Sequence, residues 1–86
     1  MIAAGKQEIR EWFQKGADEG KMYMLIVCDR MDIDDPDTPY YAGNAKEARR
    51  VYSEFSSDPM CKVMEVFDLK ADMEAQLAEK RAWYLP

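Results

Sequence analysis

Apolar positions along the chain fall into two alternating rhythms. Ile9, Trp12, Phe13 and Ala17 recur at helical spacing with charges between them, which predicts a helix over Gly5 to Glu19. Gly5 followed by Glu8 resembles a weak capping box, Gly16 weakens the last turn, and Gly20 is a stop. Lys21 to Asp29 then carries the run Tyr-Met-Leu-Ile-Val-Cys, too short for a helix and rich in strand formers. A continuous apolar run suits a strand covered on both faces, so it is expected at the centre of a sheet.

Arg30 to Thr38 reads as a loop, broken by aspartates and Pro36. Pro39 to Ala42 reads as a short strand. Proline cannot donate to a ladder, so this strand belongs at an edge or begins at the proline. Asn44 and Glu47 mark the start of a second helix reaching Ser56, with Ala45, Ala48, Val51, Tyr52 and Phe55 as its apolar stripe. Met60 to Phe67 forms a third strand. Strict alternation puts Cys61, Val63, Glu65 and Phe67 on one face and Met60, Lys62, Met64 and Val66 on the other. Asp68 is then expected to cap a third helix running from Leu69 to about Tyr84, with Leu69, Met73, Leu77 and Tyr84 on one face. Its alanines supply helix propensity.

The expected fold class is α+β, ordered α-β-β-α-β-α: a three-stranded sheet of order 2-1-3 packed with three helices. The first two strands should pair antiparallel, and a split crossover around the second helix should bring the third beside the first. The chain has 86 residues, enough for one domain, here 1–86. A domain of this size buries about 60–65% of the surface its unfolded chain exposes, so most large apolar side chains must enter the core.

Composition narrows the function. Twelve Lys and Arg against 17 Asp and Glu leave a net charge of −5. Phosphate backbones attract cations, so general nucleic-acid binding is disfavoured. The same charge keeps a small domain soluble, and an acidic surface attracts basic partners. Two cysteines, Cys28 and Cys61, are fewer than a small secreted domain carries. The first residues lack an apolar secretory core, and Met22 to Cys28 is far short of the ~20 residues of a membrane helix. The expectation is a cytoplasmic protein with two free thiols and no membrane association. A disulfide is open only if the two cysteine-bearing strands are neighbours.

The chain contains no histidine, which removes the commonest general base and metal ligand. Its four glycines fit no phosphate loop, and its cysteines form no zinc motif. A non-enzymatic role without a cofactor is therefore expected, with a carboxylate-metal site left open.

Asp29-Arg-Met-Asp-Ile-Asp-Asp-Pro-Asp37 is the unusual segment, with five aspartates in nine residues. Hard cations prefer such oxygens, which makes Asp32, Asp34 and Asp35 weak metal candidates. The EF-hand register fails: counting from Asp32, the sixth position is Asp37 rather than glycine and the twelfth is Gly43 rather than glutamate. A solvated turn in which aspartates accept backbone bonds is the plain reading. A contact surface for a basic protein partner is the functional one, comprising Asp29, Asp32, Asp34, Asp35 and Asp37 with Tyr40 and Tyr41. Strand alternation turns one tyrosine inward and the other outward as an anchor. Arg49 and Arg50 on the second helix are candidates for an anion or nucleotide; as a rule such residues form a solvated helix face. Seven methionines read as core filler. Trp83, Tyr84 and Leu85 either dock on the sheet or leave a patch for self-association, and docking is favoured because a small domain needs the buried area.

The blocks Ile9-Arg-Glu-Trp-Phe13, Met24-Leu-Ile-Val-Cys-Asp29, Val63-Met-Glu-Val-Phe-Asp-Leu69 and Ala75-Gln-Leu-Ala-Glu-Lys-Arg-Ala82 together resemble a group of short bacterial and phage proteins of unassigned function. The resemblance covers most of the chain from Ile9 onward. It departs in the second strand, where Thr38 precedes Pro39 and Ala42-Gly43 closes the run. It implies a bacterial or phage setting, in which inhibition of a host complex or capture of a signalling nucleotide are known roles for small acidic proteins. It implies no activity for any residue.

Overall fold

The computed structural model describes residues 5–29 and 37–86. The elements follow the expected order: α1 (Lys6–Asp18), β1 (Tyr23–Asp29), β2 (Thr38–Ala42), α2 (Ala45–Ser56), β3 (Cys61–Asp68) and α3 (Met73–Leu77). The strands form one sheet of order β2-β1-β3, antiparallel at both junctions. This is an α+β fold. Among the described residues no helix is long and apolar enough to cross a membrane.

Helices cover the sheet on both sides. On one side Ile9 and Phe13 of α1 and Leu77 of α3 pack with Met24, Ile26 and Phe67. On the other side Val51, Tyr52 and Phe55 of α2 pack against Leu25, Val27, Val63 and Val66. Alternation along β1 sends successive side chains into different cores, which is why an unbroken apolar run is stable there. Fully burying each such side chain is worth about 1.5–3 kcal/mol.

Local signals explain the element ends. The Asn44 side chain accepts the Glu47 N–H at 2.8 Å, and Glu47 reaches back to the Gly43 N–H at 3.4 Å. Gly20 takes a left-handed φ of 78°, which lets Lys21 donate to the Gly16 carbonyl at 2.9 Å and ends α1. At the other end Gly5 is extended and no side-chain cap bond forms, so the expected capping box is absent.

Two further expectations are corrected. A β-bulge breaks the alternation of β3: Ile26 pairs with Glu65, but Val27 pairs with Val63, leaving Met64 as the extra residue. Val63 therefore joins Val66 in the α2-side core, while Met64 packs on the α1 side with Phe67. The third helix is also short. Asp68 does not cap it; its carboxylate accepts the Lys70 N–H at 2.9 Å and closes a turn. Asp72 is the cap, accepting the Ala75 N–H at 3.1 Å. After Leu77 the chain leaves the helix and runs along the edge of β3. Val66 donates to the Ala82 carbonyl at 3.0 Å, and Tyr84 donates back to Val66 at 2.9 Å. Helix propensity in Ala78–Ala82 yields to closing an open strand edge, whose unpaired backbone groups need partners. The Tyr84 hydroxyl donates to Glu79 and pins the tail.

Candidate functional site

The acidic segment springs from one end of the sheet. Asp29 is the last residue of β1, and Asp37 immediately precedes β2. Asp32, Asp34 and Asp35 lie outside the described residues. Among those that are described, no group of three or more acidic or sulfur side chains is placed to hold a metal ion.

Asp29 and Asp37 sit in different surroundings. Asp29 is half-buried and lines a cleft of about 150 Å³ with Thr38, Tyr40, Phe55 and Cys61. Asp37 is only 7% exposed, which removes it from the open acidic surface. It lies in a separate depression of about 300 Å³ that also holds Met64, Glu65, Lys62 and Arg81. Glu65 sits beside it on the bulge. Burial raises the Glu65 carboxyl pKa, with Asp37 adding in the same direction, against the Ala82 N–H, Arg81 and Lys6.

The two tyrosines divide between the faces of the sheet, as alternation requires. Tyr40 is 40% exposed on the α2 side, its ring tilted against Phe55 at a centroid distance of 4.6 Å. Tyr41 lies on the α1 side and donates its hydroxyl to the Trp12 carbonyl at 2.8 Å. Tyr41 is thus a packing residue, and Tyr40 is the one placed as a surface anchor. The acidic rim continues to the turn before β3: Asp58 accepts from the Cys61 thiol at 3.6 Å and from the Met60 N–H at 2.9 Å. Partial burial, then Asp58, then Asp29 raise the Cys61 thiol pKa. Both cysteines are free, as expected, although their strands are neighbours. Asp29 stands opposite Cys61, and Cys28 opposite Lys62.

Arg49 and Arg50 lie on the exposed side of α2. Arg50 is paired with Glu54 at 2.8 Å, one helical turn on. A shallow depression beside it contains Asn44, Lys46 and Glu47, so a carboxylate shares the space. These arginines and the Asp29 cleft share no lining residue.

Arg81 and Trp83 form a constellation that the sequence reading missed. Arg81 donates from Nε to the Met64 carbonyl at 2.7 Å and from Nη2 to the Val63 carbonyl at 3.2 Å. The bulge leaves these carbonyls at the sheet edge, and the guanidinium caps them. The same guanidinium lies 4.1 Å from the centre of the Trp83 ring, a cation–π contact. Tyr52 meets Trp83 edge to face at 5.6 Å. Together with Ser56, Cys61 and Lys62 these residues line a groove of about 380 Å³. The signal was present as Arg81 and Trp83 at strand spacing, but a helical assignment concealed it.

No family model, curated protein or solved structure matches the chain.

Proposed function

We propose that this protein is a non-enzymatic binding module whose acidic end takes a basic segment of a protein partner. The observation that carries the reading is the placement of Tyr40 beside Asp29 on one cleft at the mouth of the aspartate-rich segment. An exposed aromatic ring backed by Phe55 supplies a rigid anchor at low entropic cost. The carboxylates around it supply steering and charge-assisted hydrogen bonds. Asp58 extends the same negative rim. Inhibition of a host complex is one role such a module would fill, consistent with the phage-like resemblance.

A photo-crosslinking residue in place of Tyr40 tests this in cells. The expected result is a discrete adduct that disappears when Asp32, Asp34 and Asp35 are changed together to lysine. An adduct that persists in that variant, or no adduct above a control position on the outer face of α2, would reject the reading.

A further inference from the structure

The groove at the β3 edge meets the acidic rim at Cys61 but is lined by different charged residues, and it supports a separate inference. The chain carries 17 acidic against 12 basic side chains, yet this groove is lined by Lys62 and Arg81 and by no carboxylate. Arg81 is held in place before any ligand arrives. Two of its donors are spent on the Val63 and Met64 carbonyls, and its plane is braced by Trp83. A guanidinium has five N–H donors, so the remainder are available in a fixed orientation. Fixing a cation in advance lowers the ordering cost of binding. Lys62, an exposed residue of the edge strand that borders both this groove and the Asp37 depression, adds an adaptable ammonium, and Ser56 a hydroxyl. Tyr52 and Trp83 form an aromatic wall, with Trp83 39% exposed. The volume of about 380 Å³ falls within the range of small-molecule sites.

We propose that this groove binds a small organic dianion bearing a planar ring, of the aryl phosphate or nucleoside monophosphate class. The phosphate sits on Arg81, Lys62 and Ser56, and the ring lies along the Tyr52–Trp83 wall. A polyanion would meet repulsion over the whole of a chain of net charge −5, whereas a single dianion meets only the groove and the two carboxylates, Asp37 and Glu65, that share Lys62 and Arg81 with it. The site therefore selects a monomeric ligand over nucleic acid.

Isothermal titration of the full chain with phenyl phosphate, AMP, adenosine and inorganic phosphate separates the two parts of the site. Phenyl phosphate and AMP should bind one per chain. Adenosine, which lacks the anion, and inorganic phosphate, which lacks the ring, should each bind at least about tenfold more weakly. Lys62→Ala and Ser56→Ala alter exposed side chains and should preserve the melting temperature while weakening phenyl phosphate by about tenfold and severalfold respectively. In a Trp12→Phe background, Trp83 fluorescence should change on binding. Absence of saturable binding by both ring-bearing anions would overturn the proposal. So would unchanged affinity in Lys62→Ala, or inorganic phosphate binding as tightly as phenyl phosphate.

Discussion

The Tyr41 ring lies against Gly16 so closely that a Cβ at that glycine would sit 2.5 Å from Cε1 and 2.7 Å from Cδ1. Leu69 Cδ1 would be 2.9 Å away on the same side. The ring has little freedom to retreat, because its hydroxyl is tied to the Trp12 carbonyl. A helix-weakening residue is therefore the contact through which α1 seats on β2. Gly16→Ala gains up to about 1 kcal/mol in helix propensity but forces overpacking that costs about 1–3 kcal/mol. The expected net result is a loss of roughly 1 kcal/mol in urea unfolding. A variant as stable as the parent would show that the ring has room to move.

Gln76 is the polar residue on which the start of α3 hangs. It is only 1% exposed; its amide donates to the Asp68 carbonyl at 2.8 Å and the Asp72 carbonyl at 3.2 Å, and its oxygen accepts the Asp68 N–H at 2.8 Å. Gln76→Met fills similar space but takes the side-chain partner from the Asp68 N–H and carbonyl, while the Asp72 carbonyl keeps the Gln76 backbone N–H. Each unsatisfied group costs about 1–3 kcal/mol, so the variant should lose at least about 2 kcal/mol. Denaturant titration measures this, and a loss below half that value would mean that water replaces the amide.

Two glutamates should pull the pH dependence of stability in opposite directions. Burial raises the Glu65 pKa above its ordinary 4.5 in the folded chain. The folded state thus holds that proton more tightly, and Glu65 favours folding less as pH rises from about the unfolded value through the folded one. Glu65→Gln keeps an acceptor for the Ala82 N–H and removes this dependence. Its melting temperature relative to the parent should rise between mildly acidic and neutral pH. The Glu74 carboxyl is shifted the other way, chiefly by the Arg10 hydrogen bonds at 2.9 and 3.0 Å. Its contribution is present above the unfolded value and is lost as pH falls through the folded one. Solvent exposure keeps that contribution small. Parallel melting curves for Glu65→Gln and the parent across this range would contradict the assignment.

Thiol reactivity should separate the two cysteines. Cys28 is 1% exposed and should resist alkylation in the folded chain. Cys61 is accessible, but its raised pKa keeps the nucleophilic thiolate scarce at neutral pH. Asp58→Asn removes a negative charge while retaining an acceptor for the Met60 N–H. Iodoacetamide labelling of Cys61 should accelerate severalfold in that variant. An unchanged rate would remove Asp58 from the causes and leave burial and Asp29.

That Asp29 ends the central strand follows from the apolar run before it, and the structure places it there. That Asp37 is buried while Tyr40 stands out beside Asp29 depends on which face of β2 meets α2, a matter of packing between distant segments. Arg49 and Arg50 were legible as cations on a helix. Arg81, the arginine with a fixed geometry, was hidden because its partners are backbone carbonyls 17 and 18 residues away.

The sequence by itself determined the element order, the central place of β1, the proline edge and the Asn44 cap, because periodicity and local hydrogen bonding act over a few residues. Only the tertiary structure decided the bulge at Met64, the short α3 and the tail laid along β3. Those outcomes arise from competition between local helix propensity and unpaired backbone groups at a sheet edge, and the edge exists only once the strands have assembled.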